Sequence, residues 1–229
     1  MTIITIDTGT TNTRVCAWQD GTLLAEAARS AGVRDTAITG STATLMQGVS
    51  DAVQEVKQKA GIPRGAKVIY LSAGMITSNV GLCEIPHLVA PAGLKELAEG
   101  MTPAHLPEIS DEPIWFVPGI RNHKDAVSLD NVEQMDMMRG EETEAIGVLS
   151  SLDIRGPALI ILPGSHSKFV KIDAHNRIEG CVTTMGGELL EVITRHTILA
   201  SSLQHQFATD IDSPSLLQGA RQCLQTGLS

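Results

Sequence analysis

Asp7-Thr8-Gly9-Thr10-Thr11 places one carboxylate ahead of a glycine and a run of hydroxyl side chains. Such a stretch suits an anion, because glycine lets the backbone approach a ligand and successive main-chain N–H groups in a turn form a concave anion site. Gly164-Ser165-His166-Ser167-Lys168 repeats the theme with a lysine at its end. Between them, Arg139-Gly140-Glu141-Glu142-Thr143-Glu144 joins a cation to a cluster of acids. One of those carboxylates could act as a general base or hold a metal, with Arg139 beside it to bind an anionic substrate. Further on, Gly186-Gly187-Glu188 opens a helix, where unpaired N–H groups could face a phosphate. Each stretch also has a plainer reading: an ordinary turn, acids favoured by a helix dipole, and tight strand-to-helix packing.

The elements that position these residues follow from hydrophobic periodicity. Residues 3 to about 30 read as three antiparallel strands, with the first donor-rich turn after Asp7 and Asp20-Gly21 as a two-residue turn. Leu45, Val49, Ala52, Val53 and Val56 have helical spacing between Ser41 and Ala60. Residues 67–72 form a buried strand opening into Ala73-Gly74-Met75, at the carboxyl end where open α/β sheets bind ligands. Six prolines interrupt residues 79–130, leaving a short helix at 94–99 and a strand at 114–117. A helix then starts in the Arg139 to Glu144 cluster, with Ala145, Ile146, Leu149 and Leu152 as its apolar face. Residues 158–183 repeat the strand, donor-rich turn and returning strands of the opening, and Gly164 follows Gly9 by 155 positions. A helix from about 188 to 202 carries Leu189, Val192, Ile193, His196 and Leu199 on one side, and a last helix spans 215–225 with Ser213 or Ser215 as its cap. Two lobes are expected, residues 1–150 and 151–229, each offering a donor-rich hairpin to a shared cleft.

Composition narrows the function classes. An apolar share of 42% with 19% charged residues is that of a globular protein, and a formal charge of −9 argues against general binding to nucleic acid or anionic membranes. No apolar run reaches the length of a membrane span, so a cytoplasmic location is expected. Cys16, Cys83, Cys181 and Cys223 are too scattered for a metal set or a compact disulfide framework, and most sit where reduced cysteine packs as a small hydrophobe. The first turn lacks the Gly-Lys-Ser/Thr of a Walker A loop and the glycines of a dinucleotide fingerprint. No Gly-x-Ser-x-Gly elbow accompanies Ser165-His166-Ser167, and no histidine pair has zinc spacing.

The motifs resemble those of the 2-dehydro-3-deoxygalactonokinases, within the actin, hexokinase and Hsp70 superfamily. The matching segments are Ile6-Asp7-Thr8-Gly9-Thr10-Thr11-Asn12-Thr13-Arg14, Ala73-Gly74-Met75-Ile76, Val117-Pro118-Gly119-Ile120, Met138-Arg139-Gly140-Glu141-Glu142-Thr143, Leu162-Pro163-Gly164-Ser165-His166-Ser167-Lys168-Phe169-Val170 and Met185-Gly186-Gly187-Glu188-Leu189. They run in order through nearly the whole chain. The Arg-Gly-Glu-Glu-Thr and Pro-Gly-Ser-His-Ser-Lys segments are the specific ones.

This resemblance implies an α/β, actin-like (ribonuclease H-like) two-lobe fold, with the second lobe incomplete because family members continue past the equivalent of Ser229 to an adenosine site. It implies ATP-dependent, Mg²⁺-dependent phosphorylation of the 6-hydroxyl of 2-dehydro-3-deoxy-D-galactonate. By position, Asp7 would hold Mg²⁺ through water, and Gly9, Thr10 and Thr11 would cradle the terminal phosphates. Gly164, Ser165 and Ser167 would do the same from the other lobe, with Lys168 nearby. Glu141 is the first choice for the catalytic carboxylate, with Glu142 and Asp136 as alternatives. Arg14 and Arg139 would take the substrate carboxylate or the transferred phosphate, and Gly74 and Met75 would line the sugar-acid side. The partners expected are ATP and a sugar acid, with a homo-oligomer covering apolar surface of the short second lobe. A non-catalytic ligand-binding or regulatory protein and a phosphoanhydride hydrolase are the competing readings.

Overall fold

Alternating apolar and polar residues at the start of the chain become three antiparallel strands, β1 (Thr2–Thr8), β2 (Thr13–Gln19) and β3 (Thr22–Arg29). The turn between β2 and β3 has φ of 50° at Asp20 and 82° at Gly21, the positive values a primed hairpin turn demands. Two helices follow, α1 (Val33–Thr39) and α2 (Ala43–Lys59). Next comes β4 (Val68–Gly74), which lies parallel to β1 from Thr2↔Val68 to Thr8↔Gly74. The proline-rich middle supplies β5 (Leu88–Val89), α3 (Leu94–Gly100), β6 (Thr102–Ala104), β7 (Ile114–Phe116), β8 (Ile120–Arg121) and β9 (Met137–Met138). The chain then runs through α4 (Glu141–Ser151), β10 (Ala158–Leu162), β11 (Ser167–Ile172), β12 (Ile178–Thr184), α5 (Gly186–His196) and α6 (Ser213–Thr226). The structure, a computed structural model, describes residues 1–206 and 211–227.

The largest sheet has the order β3-β2-β1-β4-β7-β6, antiparallel on one side of β1 and parallel through β4 and β7 on the other. This is the α/β, ribonuclease H-like arrangement of the actin-like class. One face carries Ile4, Ile6, Val15, Ala17, Tyr70 and Phe116, all essentially buried. Against it α2 lays Leu45, Val49, Ala52, Val53 and Val56, the stripe its spacing prescribes. Each large aliphatic so withdrawn from water contributes about 1.5–3 kcal/mol. A second core forms where Ala145, Ile146 and Leu149 of α4 meet Ile160, Val170, Ile172 and Ile178 of the sheet β10-β11-β12. Leu152, expected on that face, lies beyond the helix and is 68% exposed.

By their contacts the residues group into two units, Met1–Leu162 with Lys168–Thr183, and Pro163–Ser167 with the described part of Thr184–Ser229. Both cores belong to the first unit. In the second, α5 begins at Gly186 and ends at His196, so it is shorter than the expected span to 202. Leu189, Val192, Ile193 and His196 are exposed there, and Thr194 is the buried side chain. The residue at the cap position of α6 is Asp212, to which Ser215 donates a hydroxyl hydrogen bond, rather than Ser213 or Ser215. All four cysteines are free thiols. Among the described residues no helix is long and apolar enough to cross a membrane.

Candidate active site

The first turn is shaped from below by the segment entering α1. The Val33 N–H donates to Gly9 O at 3.3 Å and the Arg34 N–H to Thr10 O at 2.9 Å. Thr13 donates its hydroxyl to Ala31 O at 2.8 Å, so the buried contact of 3.1 Å between Thr8 and Thr13 must run from the Thr8 hydroxyl. Because a trans peptide points its N–H opposite to its C=O, carbonyls held toward α1 turn the Thr10 and Thr11 N–H groups the other way. Among the described residues those two amides have no protein acceptor. They border an open recess of about 490 Å³ formed with Asp7, Asn12, Arg14, Ser30 and Glu144.

A matching construction occurs in the second unit. Glu188 N–H donates to Ser165 O at 3.0 Å, which by the same peptide geometry turns the His166 N–H away from α5. The Ser167 hydroxyl is occupied within the turn, 3.3 Å from Gly164 N and 3.2 Å from Gly164 O. His166 Nε2 lies 2.6 Å from a Glu188 carboxylate oxygen, tying the turn to α5. The two turns also share a steric signature. A Cβ on Gly32 would lie 2.4 Å from Thr10 O, and one on Gly187 would lie 2.4 Å from Gly164 O, whereas Gly9 and Gly164 themselves have room. Gly187 therefore serves tight packing of α5 on the turn, the plainer of its two readings.

The carboxylates of the first unit converge through two close backbone approaches. Gly74 ends β4 at φ +89°, where a Cβ would come within 3.0 Å of Asp7 Oδ1, and Gly140 packs on Gly74. That contact sets the first turn of α4 beside β1. Asp7 stands opposite Arg14 in the β1–β2 register. Its carboxyl is raised above the ordinary range, first by the crowding that desolvates it and then by Glu141, with Arg14 opposing. Glu144 is raised for the same leading reason, with Asp7 and Glu141 adding to it. Glu144, which the motifs do not single out, stands with Asp7 at the open recess. Met75, half-buried, packs its side chain against the first core.

Four candidates, Glu142, Lys168, Asp136 and Arg139, are placed differently from expectation. Glu142 is fully buried, and both carboxylate oxygens accept from the Gly140 N–H at 2.9 Å. Burial pushes its pKa up to about 7. It belongs to the packing of α4, at the position where periodicity continues Ala145, Ile146 and Leu149. A carboxyl raised in the folded state favours folding below its unfolded pKa and loses that favour as pH climbs through the folded value. Between pH 4.5 and 8 the wild type should therefore lose about 3 kcal/mol relative to Glu142→Gln, read from melting curves of the two proteins.

Lys168, expected near phosphate, is 7% exposed and turned into the second core. Its ammonium reaches Met137 O and Thr183 Oγ1 at 2.5 Å and Asp136 at 3.5 Å, while Thr183 donates its hydroxyl to Asp136 at 2.9 Å. This network engages both Lys168 and Asp136 within the fold. Lys168→Met should lower stability by about 3 kcal/mol in chemical denaturation, with phosphate affinity unchanged by calorimetry. Arg139 spends its guanidinium on Thr77 Oγ1 at 2.7 Å, Ile85 O at 2.8 Å and His87 Nδ1 at 3.3 Å. It pins the loop after β4. His87, accepting from Arg139, is held neutral by burial and by the arginines, its pKa lowered to about 4.

Among the described residues no three acids, histidines or cysteines are spaced to chelate a metal directly. The oxygen donors fit Mg²⁺ all the same, since that ion keeps most of its waters and takes one or two carboxylates plus phosphate.

Comparison with known proteins agrees with these motifs. The family model described as 2-keto-3-deoxy-galactonokinase matches residues 7–227. A provisionally named 2-dehydro-3-deoxygalactonokinase of Rhizobium meliloti (strain 1021) is 32% identical over 201 residues, 86% of this chain and 58% of its own. The 2-dehydro-3-deoxygalactonokinase of Escherichia coli (strain K12) is 30% identical over 203 residues, 89% of this chain and 60% of its own. The chain thus spans about 60% of the length of these curated relatives. A crystal structure from Sinorhizobium meliloti, provisionally named for the same activity, aligns with a TM-score of 0.70 and 28% identity over 99% of this chain and 74% of that one. Matched along almost its entire length, the chain belongs to the 2-keto-3-deoxy-galactonokinase family.

Proposed function

We propose that this chain carries the phosphate-binding and acceptor-activating machinery of a cytoplasmic kinase that transfers the γ-phosphoryl group of ATP to the 6-hydroxyl of 2-dehydro-3-deoxy-D-galactonate, a step in galactonate breakdown. The observation that carries this reading is the pair of unpaired Thr10 and Thr11 amides beside Asp7, Arg14 and the first turn of α4. Donors for phosphate and carboxylates for a hydroxyl stand side by side, as phosphoryl transfer requires.

In this mechanism the Thr10 and Thr11 amides hold terminal phosphate oxygens; the turn at residues 164–167, taken by itself, is a second donor-rich turn suited to an anion. Asp7 would hold Mg²⁺ through water, and the ion's contribution is to neutralise phosphate charge. Glu141, half-buried and accepting from the Arg139 N–H at 3.0 Å, takes the proton of the acceptor hydroxyl. The oxygen so freed forms a bond to the γ-phosphorus as the bond to the β–γ bridging oxygen breaks, and ADP leaves with that electron pair. Arg14, exposed beside Asp7, balances charge on the transferred group.

A coupled ADP-release assay tests the proposal. Turnover should need both Mg²⁺ and a 2-keto-3-deoxy sugar acid. Equal phosphate release without acceptor would identify a hydrolase, and sugar-acid binding without turnover would identify a ligand-binding protein; either result overturns the reading.

A further inference from the structure

We propose that Glu144, together with Asp7, makes the turn at residues 9–11 selective for polyphosphates that arrive complexed with a divalent cation. This rests on the phosphate-binding reading of that turn. Glu144 is exposed and makes no side-chain hydrogen bond or ion pair among the described residues, and the residues one turn away on its helix, Gly140, Glu141, Gly147 and Val148, offer it no cation. It borders the recess that holds the unpaired amides and also, with Asp7, a second hollow of about 350 Å³ lined by Thr5, Leu71, Ala73 and Val117. Asp7 and Glu144 therefore stand on the rim common to both hollows.

The charge balance at this rim is one-sided. Glu141 adds negative charge at both Asp7 and Glu144, Asp7 adds to it at Glu144, and Arg14 is the opposing charge at these two residues. Arg29 also lines the recess, but its guanidinium is bound to Glu55 at 2.6 Å. A bare polyphosphate drawn to the Thr10 and Thr11 amides meets an excess of negative charge. A divalent cation on the same phosphates turns that repulsion into attraction. Like-charge juxtaposition is how binding sites reject the wrong form of a ligand. Glu144 needs no contact with the cation for this, so it sets specificity through its charge and is no catalytic residue.

Calorimetric titration of the 229-residue chain tests the proposal, with ATP and separately with tripolyphosphate, each in excess Mg²⁺ and in EDTA. The tripolyphosphate arm removes any dependence on adenosine contacts. Wild type should bind about tenfold more tightly with Mg²⁺. Glu144→Gln should tighten the EDTA arm about fivefold and leave the Mg²⁺ arm within about twofold, so the preference collapses. Glu144→Asp, which keeps the charge, should retain it. An unchanged preference in Glu144→Gln, with the wild-type melting curve preserved, overturns the role of Glu144 and leaves the phosphate reading standing. Absence of binding in every arm overturns both.

Discussion

Asp7→Asn is expected to lower phosphoryl transfer by about 10²–10³-fold while raising the melting temperature at neutral pH. The amide keeps the shape of the side chain and its place opposite Arg14, but it cannot hold a divalent cation against phosphate. Stability moves the other way. The Asp7 carboxyl is raised by desolvation and by Glu141, so its ionised form is disfavoured in the folded protein. The stabilisation by asparagine should be largest above the carboxyl's folded pKa and vanish as acid protonates the wild type in both states. Catalytic rates at saturating substrate, paired with melts across pH, separate the two effects. A variant that melts higher and retains wild-type turnover would remove Asp7 from the mechanism.

Gly32→Ala should cost about 3 kcal/mol of stability and abolish phosphate binding, although residue 32 itself faces no ligand. A methyl there would sit 2.4 Å from Thr10 O, 2.5 Å from Thr10 C and 2.6 Å from Thr11 N, so the turn must leave its position. Gly9→Ala should behave oppositely. Its Cβ would meet Asn12 O at an ordinary 3.7 Å, so the fold should tolerate it within about 0.5 kcal/mol. Affinity for Mg²⁺·ATP should nevertheless fall about tenfold, because the ligand approaches the backbone at that residue. Urea denaturation and calorimetry of both variants check the contrast. Equal losses of binding with equal losses of stability would mean that Gly9 serves the fold alone.

Most of this architecture is written in local patterns. Period-two alternation marks β1, β2 and β11, the Asp20-Gly21 pair marks its hairpin, and the apolar stripe of α2 appears in the structure as spaced. α1 escapes such reading because seven residues between Gly32 and Gly40 are too few for a period, yet it supplies the amides that orient the first turn. For Lys168 and Glu142 the sequence itself carries a signal of where the structure puts them. Lys168 shares strand parity with Val170 and Ile172, both fully buried, so its side chain must point inward. Glu142 stands three, four and seven residues before Ala145, Ile146 and Leu149, on the buried stripe of α4. Glu141 and Glu144, three apart, share the other side. The network of Lys168 with Asp136, Met137 and Thr183 joins residues far apart in the chain, and no local pattern announces it.

Transfer of a phosphoryl group onto the sugar acid is the activity proposed for this chain. Phosphorus-31 NMR of the protein incubated with ATP, Mg²⁺ and 2-dehydro-3-deoxy-D-galactonate addresses it directly. A new phosphomonoester resonance coupled to the C6 methylene protons should appear and grow in step with ADP. Inorganic phosphate as the sole new signal, or ATP left intact beside bound sugar acid, would contradict the proposal.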